Sequence, residues 1–189
     1  MSFTANPNHT SHTGMLHPQH STLVVVDVQE RLMPVIFEAE RVFANVNRLV
    51  AGAALLGVNT LVTEQYPKGL GHTCREIILQ EQPVLEKMSF SCLLDEAFLQ
   101  HLPAGHKLVL CGVEAHICVL KTALDALERG REVHVVADAV SSRTPENHRL
   151  ALERLRQSGA FIGSTEMVLF QWLDYAGTDA FRAISTLIK

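Results

Sequence analysis

The 189-residue chain lacks a closely spaced cysteine pair, an excess of basic residues and any apolar run long enough for a membrane span. Each absence removes a class of function. Sixteen Lys and Arg stand against twenty Asp and Glu, for a formal net charge of −4, and no basic stripe or basic helix offsets it. Nucleic acid and anionic membrane surfaces are therefore disfavoured as partners. Cys74, Cys92, Cys111 and Cys118 form no CxxC pair, so neither a disulfide framework nor a zinc knuckle is indicated. The first residues lack the basic flank and apolar stretch of a secretory signal. These absences together predict a cytoplasmic protein with reduced thiols.

What is present suits one domain. Apolar residues make up 47% of the chain, enough to bury a core at this length. Residues 1–20 are rich in Asn, Thr, His and Pro without periodicity and are expected to form a flexible tail. His9, His12, His17 and His20 lie on it, and histidines on a disordered tail usually bind nothing specific. The domain is expected to run from 21 to 189, with no internal repeat and no linker.

Within it strand and helix alternate. Leu23–Val26 is a continuous apolar run with three β-branched valines, as in a strand buried on both faces. Val42, Val46, Leu49, Ala53 and Leu56 recur at helical spacing, with Gly57 as a stop. Further strands are expected at 60–63, 84–87, 107–111, 132–137 and 161–163, with Gly112 ending the fourth. A weak helix is expected near 94–101, and others after Gly112, from Thr144-Pro145 and from Ser164 or Thr165 to Trp172. This rhythm specifies a three-layer α/β/α sandwich around a six-stranded open parallel sheet.

In such a sheet ligands bind outside the carboxyl ends of the strands. That rule selects Asp27 after strand one, Lys87 closing strand three and Cys118 in the first turn of the helix after strand four. A thiol, a carboxylate and an ammonium together make a nucleophilic site. The helix N-terminus and Lys87 would stabilise a thiolate, and Asp27 could take the proton. Unpaired amides of the first helical turn could hold an oxyanion. Each residue also has an ordinary reading: a small core cysteine, a capping aspartate, a solvated lysine.

The residues carry a resemblance as well. Asp27-Val28-Gln29 after Val24-Val25-Val26, Leu85-Glu86-Lys87, and Gly112-Val113-Glu114-Ala115-His116-Ile117-Cys118 resemble the three defining segments of isochorismatase-like cysteine hydrolases. Residues 63–71 (TEQYPKGLG) and 138–143 (DAVSSR) resemble the isochorismatase domain-containing subgroup. The resemblance implies Cys118 as nucleophile, Asp27 as general base and Lys87 as their electrostatic partner. It also implies a cis peptide at Val113–Glu114, which aims the amides of Glu114 and Cys118 into one oxyanion hole. The implied reaction cleaves a small amide- or ester-like substrate through a thioester, followed by hydrolysis. Family members that cleave isochorismate lack the cysteine, so the family name does not indicate the substrate.

Nicotinamidases, which are related, carry an Asp-x-His metal pair after strand two. Here Glu64-Gln65-Tyr66 stands in that place with only His72 nearby, so no metal and no cofactor is expected. Gln29, Tyr66 and Phe90 are candidates for lining the substrate pocket, with core packing an equal reading for Phe90. His116, two residues before the cysteine, points to another side of a helix and is expected on a pocket wall or interface. Relatives assemble, so a homo-oligomer is expected, and Trp172, Phe181 and Leu187 could cover a neighbour or pack on their own sheet.

Two other classes remain open. A catalytically silent binding or scaffold protein would have no physical need for all three residues. A nucleotide-binding redox protein would need G-x-G-x-x-G after strand one, where Asp27-Val28-Gln29-Glu30 stands and would repel a pyrophosphate.

Overall fold

Ser21–Val26 forms β1, and every one of its residues is buried. In this computed structural model, which describes residues 13–189, β1 lies in the middle of the sheet. The elements that follow are α1 (Ala39–Leu56), β2 (Asn59–Gln65), the single turn α2 (Pro67–Leu70), β3 (Val84–Lys87), α3 (Glu96–His101) and β4 (Lys107–Val113). After them come a π-helical turn (Ala115–Val119), α4 (Leu120–Glu128), β5 (Val133–Ser141), α5 (Pro145–Gln157), β6 (Phe161–Gly163), α6 (Thr165–Gln171) and α7 (Asp179–Leu187). The strand order is β3-β2-β1-β4-β5-β6, and every pairing is parallel.

Alternation along β1 divides the core into two layers. Leu23 and Val25 face α1, α6 and α7, beside Val42, Val46, Leu49, Leu169 and Ile184. Val24 and Val26 face α3, α4 and α5, beside Phe98, Ala123, Ala126 and Leu155. Each fully buried Val or Leu contributes roughly 1.5–3 kcal/mol relative to exposure. Gly57 ends α1 at φ 68°, its amide closing on Ala53 O, as the spacing requires.

Gly112 does not end β4. The strand continues to Val113, paired with β5 through Gly112↔Val140 and Val113↔Ser141, because β5 also runs on past Ala137. At φ 101°, a Cβ on Gly112 would lie 2.1 Å from Val26 O, so only glycine fits the seam between β1 and β4.

Part of the segment expected as a tail, from residue 13 on, packs on the domain. Leu16 is wholly buried, its amide donates to Gln171 Oε1 at 3.1 Å, and Trp172 Nε1 donates to Ser21 Oγ at 3.2 Å. The segment from 13 to 20 is therefore laid on the domain by one buried apolar side chain that its polar neighbours masked. His17 and His20 lie there, exposed, whereas His9 and His12 fall outside the described residues. At the other end, Trp172 and Ile184 are buried and Leu187 packs on the same core. The C-terminal stretch thus covers its own sheet, through a helix, α7, that the sequence pattern did not reveal.

Candidate active site

The strand order reverses between β1 and β4, and the polar groups collect at the carboxyl ends beside that point. Asp27 follows β1 in a left-handed conformation, φ 51°, with its amide donating to Thr63 O at 3.1 Å. Its Oδ1 accepts from Thr63 Oγ1 at 2.7 Å, and its Oδ2 accepts from Lys87 Nζ at 2.7 Å. Lys87 closes β3. Its ammonium also donates to Gln65 Oε1 at 2.8 Å and Ser89 O at 3.2 Å. All three of its hydrogens are thereby used.

Gln65, the last residue of β2, links this pair to the thiol. Its Oε1 lies 4.0 Å from Cys118 Sγ, and its Nε2 donates to Met88 O at 2.8 Å. Sequence reasoning missed both Gln65 and Thr63. A signal existed for Gln65, since it closes a strand of the sheet as Lys87 does, but the pattern ended strand two at Thr63. Gln29 is a correction. It is wholly buried, and its amide accepts from Gln65 N at 2.8 Å and donates to Gln65 O at 3.0 Å and Gly71 O at 2.6 Å. It braces β2 rather than lining a pocket.

Cys118 sits in the π-helical turn and is buried. The expected thiolate is not favoured at rest. Burial raises the thiol pKa well above the cysteine range, and the Asp27 carboxylate adds to that rise, outweighing Lys87. Lys87 is already committed to Asp27. Burial also raises the Asp27 pKa, opposed by Lys87, Thr63 and the Cys118 thiol. For Lys87 burial opposes the charge, but Asp27 and the thiols of Cys92 and Cys118 hold its pKa above the usual lysine value. Burial and the Asp27 carboxylate both favour the neutral thiol, beside the buried Lys87–Asp27 pair.

The Val113–Glu114 peptide is cis. The buried Glu114 carboxylate is clasped by Arg143, Nε to Oε1 at 2.9 Å and Nη2 to Oε2 at 3.2 Å. His116 is half-buried and bonds Ser142 Oγ at 2.9 Å. Glu64 accepts from Thr73 N at 2.6 Å and Thr73 Oγ1 at 2.8 Å, and pairs with His72 Nδ1 at 3.0 Å. Burial would raise the Glu64 pKa, but these bonds outweigh it and hold it low. Glu64 and His72 thus pin the loop after β2 to the sheet.

A cleft of about 450 Å³ opens beside Lys87, lined by Pro67, Glu86, Met88, Ser89, Leu94 and Asp95. Tyr66 and Phe90 flank it in sequence and are 46% and 56% exposed, which excludes core packing for Phe90. A larger cavity, about 710 Å³, lies at the amino ends of β4 to β6 among His106, Lys107, Arg131 and Phe161. It is remote from the thiol, so volume alone points to the wrong end of the sheet.

Fold and site together define an open parallel α/β protein with a cysteine-centred polar cluster. Residues 21–167 match the isochorismatase domain, and the chain belongs to the isochorismatase family. It is 45% identical over 188 residues to the secreted isochorismatase effector Isc1 of Phytophthora sojae, covering 95% of this chain and 90% of that protein. It is 41% identical to isochorismatase domain-containing protein 2 of Danio rerio, covering 93% and 90%. Among solved structures, MAR1 ribonuclease from Caenorhabditis elegans superposes with a TM-score of 0.86 at 35% identity, covering 92% and 91%. YcaC from Pseudomonas aeruginosa, with covalent acrylamide, gives 0.84 at 25%, covering 98% and 93%. The octameric YcaC hydrolase from Escherichia coli gives 0.83 at 26%, covering 92% and 89%.

Proposed function

We propose that the chain is a metal-independent cysteine hydrolase of a small amide- or ester-like substrate, with Cys118 as nucleophile, Asp27 as general base and Lys87 as electrostatic partner. The observation that carries this is the bonded chain Cys118–Gln65–Lys87–Asp27 across three strand ends. Because the thiol rests protonated, Asp27 takes its proton as Sγ attacks the carbonyl carbon. The amides of Glu114 and Cys118 receive the developing oxyanion. Collapse expels the amine or alcohol, which leaves with the proton held by Asp27, and a thioester remains. Asp27 then deprotonates a water, whose attack releases the acid and returns the thiol. The Pseudomonas aeruginosa YcaC carries covalent acrylamide, which accords with a nucleophilic group in that relative.

The burial of Cys118 favours one competing reading, a silent binding protein. Mass mapping of protein quenched during turnover of an activated ester separates the two. An acyl group on Cys118, absent in Cys118→Ser and persistent in Asp27→Asn, is expected. No acylation of Cys118 by any ester or amide would leave the binding reading in place. RNA is not proposed as substrate despite the likeness to MAR1 ribonuclease, because acidic residues outnumber basic ones.

We further propose a homo-oligomer, supported by the octameric relative; light scattering at micromolar concentration tests it. A reducing compartment suits the four free thiols. Among the described residues no helix is long and apolar enough to cross a membrane. Since the Phytophthora sojae relative is secreted, the cytoplasm is proposed for this chain alone.

A further inference from the structure

Charges around the thiol are arranged unevenly. Lys87 and Arg143, the basic groups bonded into the cluster, are each paired with a carboxylate. Lys87 gives its three hydrogens to Asp27, Gln65 and Ser89, and Arg143 is held in a fork by Glu114. On the neighbouring loop Arg31 donates to Gly69 O at 2.8 Å, and Lys68 is not among the residues lining the cleft. The acidic side is different. Glu86 and Asp95 stand on the cleft wall. Glu86 is exposed, and Asp95 uses only Oδ1, as acceptor for Phe98 N at the start of α3. Pro67, Met88 and Leu94 supply the remaining apolar wall, with Met88 71% and Leu94 65% exposed.

This cleft adjoins the nucleophile through two residues. Lys87 and Ser89 are among the residues that line it, and Gln65, bonded to Lys87 Nζ and Met88 O, has its Oε1 4.0 Å from Cys118 Sγ. A ligand entering here meets apolar surface, two carboxylates and, among the described residues lining it, no cation with a free hydrogen. A carboxylate placed in it would lose water without gaining a partner. An ammonium or a neutral group meets no such barrier.

We infer that the site takes small uncharged or cationic substrates with an apolar body and excludes those bearing a carboxylate. This rests on the hydrolase reading for the word substrate, but its test does not require turnover. Cys118 of the native protein is alkylated with iodoacetamide and, separately, iodoacetate, and both rates are divided by those of the same cysteine in the urea-unfolded chain. The normalised iodoacetate rate is expected to be lower by about tenfold or more. In the double variant Glu86→Gln, Asp95→Asn, which keeps the α3 cap, the gap is expected to narrow. Equal or faster labelling by iodoacetate would overturn the inference and leave the hydrolase reading untouched. Discrimination that persists unchanged in the double variant would also overturn it, since the cleft carboxylates would then not be its source. Failure of the acyl-enzyme experiment with discrimination intact would instead remove the hydrolase and leave the ligand class standing.

Discussion

Two lysine–carboxylate pairs, one at each end of the sheet, have the same 2.7 Å separation and opposite surroundings. Lys87–Asp27 at the carboxyl end is 2% and 0% exposed, whereas Lys107–Glu132 at the amino end is 26% and 18% exposed. Geometry alone would rate them equal. The difference lies in the solvent each has lost. The amino-end pair keeps water, so its attraction is weak and readily replaced. The carboxyl-end pair has given up its hydration, so neither partner can be removed alone without stranding the other. A buried ion pair of that kind is costly to maintain, which suits a group kept for chemistry rather than for stability.

The sharpest break of this comparison is Lys87→Met. Stranding Asp27 is expected to cost about 3–5 kcal/mol in urea denaturation, with part recovered in the double variant with Asp27→Asn. A cost under 1 kcal/mol would place the two pairs in one class. Next comes Asp27→Asn by itself. It is expected to lower turnover by about 10²–10⁴ yet speed alkylation of Cys118 at neutral pH, because the carboxylate that helps push the thiol upward is gone and Lys87 now faces it. Slower labelling would contradict that electrostatic account. Gln65→Leu removes one charge-assisted acceptor from Lys87, and roughly a tenfold fall in kcat with little change in KM is expected. A change confined to KM would make Gln65 a binding residue instead.

A smaller effect concerns pH. Glu64 has its pKa held below the ordinary 4.5, so its bonds stabilise above that value and are lost as pH falls through the lowered one. His72 has its pKa raised above 6.5 by the Glu64 carboxylate, so its share is complete below 6.5 and is lost as pH rises through the raised value. Hydrogen exchange at the Thr73 amide, corrected for intrinsic rate, should therefore be slowest between 4.5 and 6.5. His72→Ala should remove the alkaline limb and move the acid limb to higher pH, because His72 helps hold the Glu64 pKa low. The smallest effect belongs to Lys107→Met, expected to cost about 0–1 kcal/mol. A loss as large as that of Lys87→Met would erase the contrast between the ends.

The sheet, its parallel sense and the placement of three candidate site residues at one end of it were legible because strand runs are buried on both faces and the strand-end rule turns position into a candidate site. Asp27, Lys87 and Cys118 are adjacent to apolar runs that announce themselves. Gln65 escaped because β2 stays buried two residues past its last β-branched member, Thr63. Gln29 was misassigned because a buried amide serving backbone groups looks, in sequence, like one awaiting a ligand. The resting protonation of Cys118 was beyond reach for another reason. Which partner Lys87 serves first depends on distances, and no spacing in the chain encodes them. Leu16 was hidden because only Met15 beside it is apolar, and no periodic pattern runs through the segment.

Leu16 and Ser21, near the start of the domain, are fastened to Gln171 and Trp172, near its end. On a ribosome these partners are made in opposite order of need. The central strand emerges first, and the groups that close over its outer end emerge last, after some 150 residues of sequence separation. Until Trp172 has been made, the amino end of β1 has no lid, and the nascent chain must wait with its most apolar strand partly uncovered. The clasp therefore dates the final step of biosynthetic folding, and the domain cannot be finished before its last helices have left the tunnel.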